Sequence, residues 1–171
     1  CILTQEPHRA EQLLVCEGWN WMAWDTIQGI RKAGTSKTIE EIRDPVEAVK
    51  WLNMYRDTVL ICHNLHLFLE IPELIQAIQN GITVFKGMGS ALVMISPLIQ
   101  LKPEIEKFFT IVDLPLPNDE NLINIQYDLC KSVNIKPNKK AAKAAKGLTE
   151  LEAEGAFALS LIQKGYCSTK V

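Results

Sequence analysis

No apolar run in this sequence approaches the roughly 18 residues that a membrane-crossing helix needs, so a bilayer span is excluded. An excess of either charge is also missing, because 18 basic and 20 acidic residues leave a formal net charge of -2. A chain so balanced carries no strong basic field of the kind most nucleic-acid binders use, and nucleic acid is not an expected partner. Cys1, Cys16, Cys62, Cys130 and Cys167 contain no CxxC pair. Neither a disulfide framework nor a cysteine zinc site is expected, and a reducing, cytoplasmic compartment fits. With no initiator methionine, charged leader or cleavage signal before Cys1, Ile2 and Leu3, the sequence reads as a fragment. What is present is 171 residues with 47% hydrophobic content. That is too apolar for a disordered tail and enough for one domain, or a core with a small satellite.

Short β-prone runs alternate with helical stretches over the first two-thirds of the chain. Strands are expected at Cys1 to Thr4, Trp21 to Ile27, Thr58 to Cys62 (TVLIC), Ala91 to Ser96 (ALVMIS) and Phe109 to Leu114. TVLIC and ALVMIS are apolar at nearly every position, as strands covered on both faces must be, and they should lie side by side at the sheet centre. Between the strands, a helix from about Pro7 to Cys16 should turn Ala10, Leu13 and Leu14 inward. A second helix starts at Asp44 and Pro45 with Glu47, burying Ala48, Val49, Leu52 and Tyr55, and a third runs from Pro72 to about Phe85. Strand, helix, strand order implies an α/β fold with a mainly parallel, five-stranded sheet and helices on both faces.

Pro115 and Pro117 forbid continuation of a strand ladder, and the rest of the chain reads helical. Two domains are expected, 1–117 and a small helical, lid-like subdomain at 118–171. Within the latter, Asn118 opens a helix, KKAAKAAK at 139–146 forms an alanine-rich one, and Thr149 with Glu152 makes a capping box for the last. That last helix carries Leu151, Gly155, Ala158 and Ile162 on one face, expected to be the buried one.

A parallel sheet, a strand running into a proline pair and a helical lid together resemble an AAA+ ATPase module of the P-loop NTPase type. The pieces that carry the likeness are Thr4, Glu6, Pro7 and Arg9; Trp24, Asp25 and Gly29; TVLIC followed by His63 to Leu69; and Ser96 and Pro97 before Pro103, Glu104 and Ile105. DLPLP at 113–117 and GLTELEAE at 147–154 complete the set. In this order they resemble the N-terminal region of the uncharacterised AAA+ ATPases encoded in algal plastids and shared with cyanobacteria, bacteria and some phages. The resemblance implies that a complete motor follows this region in the parent protein, with ATP and Mg bound there and the motor as partner. It also implies a homo-oligomer, located in the cytoplasm or, in an alga, the plastid stroma.

A working phosphate loop needs glycines whose N–H groups wrap the phosphates, a lysine on their oxygens, and a Ser or Thr on Mg²⁺. After the first expected strand the chain has Gln5, Glu6, Pro7, His8 and Arg9, with no glycine or lysine and with an acid that would repel phosphate. Gly34, Thr35, Ser36, Lys37 and Thr38 (GTSKT) are an alternative phosphate loop, but Arg31 and Ser36 occupy both glycine positions of GxxxxGK followed by Ser or Thr. A surface loop is the weightier reading. The central strand should end in an acid for Mg²⁺ and an activating carboxylate; here it ends in His63, Asn64, Leu65 and His66. His63 and His66 alone make a poor metal pair, with no third ligand in view. Ser96 stands where AAA+ motors place the polar residue that senses the γ-phosphate.

The residues of a degenerate nucleotide site are therefore Thr4, Glu6, Arg9, Asn64 and Ser96, with no catalytic residue and no metal or cofactor of its own. The expected function is a non-catalytic scaffold, regulatory or oligomerisation module for a following motor. Two alternatives stand beside it, an ATP-binding or hydrolysing P-loop domain and a nucleic-acid or protein adaptor acting through Lys139, Lys143 and Lys146.

Overall fold

A computed structural model describes residues 1–98 and 100–169. The chain separates into two compact units, with the break between Leu114 and Pro115. The first unit runs β1 (Ile2–Leu3), α1 (Pro7–Leu14), β2 (Asn20–Asp25), β3 (Gly29–Lys32), β4 (Thr38–Glu40), α2 (Pro45–Leu52) and β5 (Thr58–His63). A 3₁₀ turn at Leu65–Phe68, α3 (Pro72–Met88), β6 (Ala91–Ser96), α4 (Pro103–Glu106) and β7 (Val112–Asp113) follow. Among the described residues the sheet has seven strands in the order β4-β3-β2-β5-β6-β1-β7. Neighbours from β2 to β7 in that order pair parallel, while β3 and β4 pair antiparallel at one side. The fold is α/β with a mostly parallel sheet flanked by helices. β5 and β6 are adjacent at its centre, in register from Val59↔Ala91 to His63↔Ile95.

β5 shows why a central strand must be apolar throughout. Its side chains alternate, so Leu60 and Cys62 enter a core with Trp24, Leu52, Leu74 and Ile78, while Val59 and Ile61 enter a second core with Ala10 and Ala23. β6 is less enclosed than expected: Met94, Ile95 and Ser96 are buried, but Ala91, Leu92 and Val93 are only half-buried. α2 begins where the sequence placed it, with the Asp44 carboxylate accepting from the Val46 and Glu47 N–H groups at 2.9 Å each. Tyr55 falls beyond the end of α2 and is exposed, with its ring stacked on Trp51 at a centroid distance of 4.1 Å.

The strand count is a correction, since five strands were expected and the β3–β4 hairpin adds two. Arg31 and Lys32 hide β3 from a hydrophobic pattern. The turn into it is set instead by Asp25, whose Oδ1 accepts from Ile27 and Gln28 N–H groups at 2.8 Å each, and by Gly29 at φ 73°. A Cβ on Gly29 would lie 2.5 Å from the Glu40 carbonyl oxygen, so only glycine lets β4 close against β3. α1 also departs from expectation, because Leu13 is exposed and Glu11 is buried.

The second unit contains α5 (Asp119–Ser132), α6 (Lys139–Ala144) and α7 (Glu150–Lys164). Residues 170 and 171 of the expected subdomain lie outside the described residues. Capping boxes start α5 at Asn118 with Asn121 and α7 at Thr149 with Glu152. Leu122, Cys130, Ala141, Ala142, Ala145, Ala153, Phe157 and Cys167 form the unit's core. α7 therefore buries Ala153, Phe157 and Ser160 rather than the expected face, on which Leu151 and Ile162 are 70% and 83% exposed. The two faces are nearly opposite on a helix of 3.6 residues per turn, and apolar residues on both make the sequence pattern ambiguous.

Two glycines should respond in opposite directions. Gly155→Ala places a Cβ in open space within a helix and should stabilise by about 0.5–1 kcal/mol. Gly29→Ala should cost about 1–3 kcal/mol from backbone strain alone. Urea unfolding followed by far-UV circular dichroism measures both, and a loss of stability in Gly155→Ala would mean that this face of α7 is covered.

Candidate functional site

In an open parallel sheet, ligands bind outside the carboxyl ends of the strands where neighbouring connections leave in opposite directions. Here the chain leaves β1 toward β2 on one side of the sheet and leaves β6 toward β7 on the other. β1 and β6 are neighbours, paired Ile2↔Ile95 and Leu3↔Ser96, so the switch point lies between them. A cavity of about 230 Å³ opens there, lined by Thr4, Gln5, Pro7, Asn64, Ser96 and Pro97 together with Ile95. Three of the five residues expected of a degenerate nucleotide site, Thr4, Asn64 and Ser96, thus share one crevice.

The chemistry of the crevice is already committed internally. Thr4 Oγ1 accepts from the Glu6 N–H at 2.9 Å, and the Thr4 N–H donates to the Ser96 carbonyl at 2.9 Å. Ser96, 1% exposed, accepts from His66 Nδ1 at 2.7 Å and donates to the Leu98 carbonyl. Burial pushes the His66 imidazole below its usual pKa, which favours a neutral ring that can make this contact. Asn64 takes a left-handed conformation, φ 54°, to end β5, and its N–H donates to the Ile95 carbonyl at 3.0 Å. Glu6 and Arg9 do not line the crevice; they pair with each other across one turn of α1 at 3.2 Å.

Mg-ATP does not fit this donor set. Of the described residues lining the crevice, none is Gly, Lys, Arg, Asp or Glu, and Pro7 has no N–H to offer where α1 begins. GTSKT lies elsewhere, in the turn from β3 to β4, and is followed by a strand where a phosphate loop is followed by a helix. Lys37 is exposed, and none of residues 34–38 lines the β1–β6 crevice. His63 and His66 point to different partners, and among the described residues no group of three His, Cys, Asp or Glu could hold a metal.

A second polar centre was not visible in the sequence. Glu11 on α1 accepts from Arg31 Nη1 at 2.6 Å, Arg31 Nη2 at 2.8 Å, the Gly34 N–H at 2.6 Å and His63 Nε2 at 2.6 Å. The Glu11 and Arg31 side chains are 4% and 7% exposed. Four donors fill the roughly four acceptor positions of a carboxylate. Burial alone would raise the Glu11 carboxyl, but the hydrogen bonds from Arg31, His63 and Gly34 prevail and hold it well below the usual carboxylate range. Reciprocally, the hydrogen bond to Glu11 raises Arg31. His8, Gln12, Gln28, Thr35 and Ser36 surround this pair in a cavity of about 240 Å³. A saturated carboxylate with a depressed pKa is not a general base; it clamps α1, the GTSKT turn and the end of β5 together. The only local hint was a charge at Glu11 next to the inward-facing Ala10, and its partners lie 20, 23 and 52 residues away.

The remaining sequence candidates take ordinary places. Ala141, Ala142 and Ala145 are buried, so α6 is a packing helix whose Lys139 and Lys143 face solvent, while Lys146 lies beyond it, 3.7 Å from Asp119. Trp24 is fully buried with its indole N–H on the Ile42 carbonyl at 2.8 Å, and Trp19 is exposed.

Two comparisons with known proteins bear on this arrangement. A family described as "SpoVK-like AAA ATPase, N-terminal domain" matches residues 1–114, which is the whole first unit. The uncharacterized AAA domain-containing protein ycf46 of Gracilaria tenuistipitata var. liui is 26% identical over 97 residues, covering 55% of this chain and 20% of the relative. The match therefore spans about a fifth of that protein's length.

Because Glu11 is ionised in the fold and depressed in pKa, its contribution is present above the ordinary carboxylate value of 4.5 and is lost as pH falls below it. Glu11→Gln leaves buried Arg31 with only the more distant Asp25 carboxylate, 3.9 Å from its Nε, and should cost about 3–5 kcal/mol at neutral pH, whereas Glu11→Leu with Arg31→Leu should cost less than either single change. Denaturant unfolding at neutral and acid pH measures this. A Glu11→Gln protein as stable as wild type would remove the clamp from the account.

Proposed function

Since the chain belongs to the SpoVK-like AAA ATPase N-terminal domain family, we propose that it is the non-catalytic N-terminal module of an AAA+ ATPase. In this reading it is a scaffold, regulatory or oligomerisation domain for a motor that follows in the same protein. The observation that carries the proposal is the β1–β6 crevice: it sits where such a fold binds ligands, yet its described lining residues offer no glycine turn, cation or carboxylate, and the buried Ser96 hydroxyl is spent on His66 and Leu98. ATP and Mg then belong to the motor, and this region has neither cofactor nor metal of its own. The protein works as a homo-oligomer in the cytoplasm, or in the plastid stroma of an alga.

The scaffold role is further supported by α7, which is apolar on two nearly opposite faces and buries only one of them. Leu151 and Ile162, with Gly155 between them and nothing within 4 Å of its would-be Cβ, form a surface on which another helix could approach closely. A motor-facing or subunit-facing contact is a natural use of such a surface.

Two measurements test the proposal. Calorimetry with Mg-ATP should show no binding and a phosphate-release assay no turnover; binding on the order of micromolar that Lys37→Ala abolishes would restore the ATP-binding alternative. In the longer parent protein, Ile162→Asp should weaken assembly in size-exclusion chromatography while leaving the thermal unfolding of the isolated chain nearly unchanged. Unaltered assembly would argue against α7 as a contact surface.

A further inference from the structure

The helical unit brings together two of the five scattered cysteines. Cys130 Sγ, near the end of α5, lies 3.4 Å from Cys167 Sγ, and the two residues are 0% and 1% exposed. The backbone around Cys167 is held on both sides. Asn138 Nδ2 donates to the Cys167 carbonyl at 2.9 Å, the Ser168 N–H donates to Ser160 Oγ at 2.8 Å, and Ser160 Oγ donates to the Tyr166 carbonyl at 3.0 Å. The sulfur contact is therefore built into the packing of the unit. A disulfide bond measures about 2.05 Å, so only a small further approach separates the two thiols from a bond.

We propose that Cys130 and Cys167 are an oxidisable pair, converted by a small-molecule disulfide of the oxidised-glutathione class into an intramolecular disulfide that staples the segment after α7 onto α5. The Cys167 thiolate attacks one sulfur of the small disulfide, forming a mixed disulfide and releasing one small thiol. The Cys130 thiolate then attacks the Cys167 sulfur and expels the second small thiol. Two protein thiols lose two electrons and two protons, and the small disulfide gains both.

Cys167 reacts first because it lies outside a helix, beyond the Gly165 cap of α7, where the hydrogen bonds that hold its backbone can break transiently, whereas Cys130 is fixed in a helix. Burial and the hydrogen bond to Cys130 push the Cys167 thiol up to about 12, so the closed unit resists oxidation and the reaction waits for that opening. The bond would close a loop spanning 37 residues in the helical unit, and restricting the unfolded chain in this way stabilises the folded one. The consequence is a helical unit whose stability follows the thiol–disulfide balance of its surroundings.

The test is incubation of the whole chain with oxidised glutathione at mildly alkaline pH, then denaturing alkylation and peptide mapping. The expected product is a cross-linked peptide pair containing Cys130 and Cys167, two hydrogens lighter than the reduced pair. An upward shift of several degrees in the melting transition should accompany it, reversed by dithiothreitol, kept in Cys16→Ser and absent in Cys130→Ser and Cys167→Ser. Recovery of Cys130 and Cys167 as separately alkylated peptides, while exposed Cys16 has become glutathionylated, would overturn the proposal. So would a cross-link that leaves the melting transition unmoved.

Discussion

A negative charge buried at Glu11 is the constraint around which the first unit is arranged. An ionised carboxylate removed from water is tolerated only if nearly every lone pair finds a donor, and the donors must come from whatever surrounds it. Here they come from β3, from the turn that follows it and from the last residue of β5, while the carboxylate itself rides on α1. Meeting that requirement fixes the antiparallel hairpin to the parallel core. It also engages the first residue of the GTSKT turn, since the Gly34 N–H serves this internal anion.

The elements legible in the sequence are those whose signal is local. TVLIC announced itself because a central strand is apolar on both faces, and Asp44 and Thr149 announced helix starts because a cap satisfies N–H groups two or three residues away. β3 was illegible because its buried polar residue, Arg31, has its bidentate partner 20 residues earlier. The buried face of α7 was misread for a different reason. Leu151, Gly155, Ala158 and Ile162 form as good an apolar stripe as Ala153, Phe157 and Ser160, and which one is covered depends on α5 and not on α7 itself.

The crevice between β1 and β6 was legible in part. Thr4, Asn64 and Ser96 could be nominated because each follows or ends a strand, and the strand order then brings the three ends together. What the sequence does not display is how the groups are used. His66 could be seen as a metal ligand or a loop residue, but its hydrogen bond to Ser96 depends on the backbone reversal at Asn64, a left-handed residue that a linear pattern does not reveal.

The sheet is flanked on each side by very short strands, β4 with three residues and β7 with two. A long, flat edge would present a row of unpaired amides and carbonyls, which is a template for a strand from another chain. These edges offer only a few such groups, and past β7 the chain meets Pro115, which has no N–H to extend the row. Copies held at high local concentration would thus gain little from joining sheet to sheet, leaving their mutual contacts to side chains rather than to backbone polymerisation.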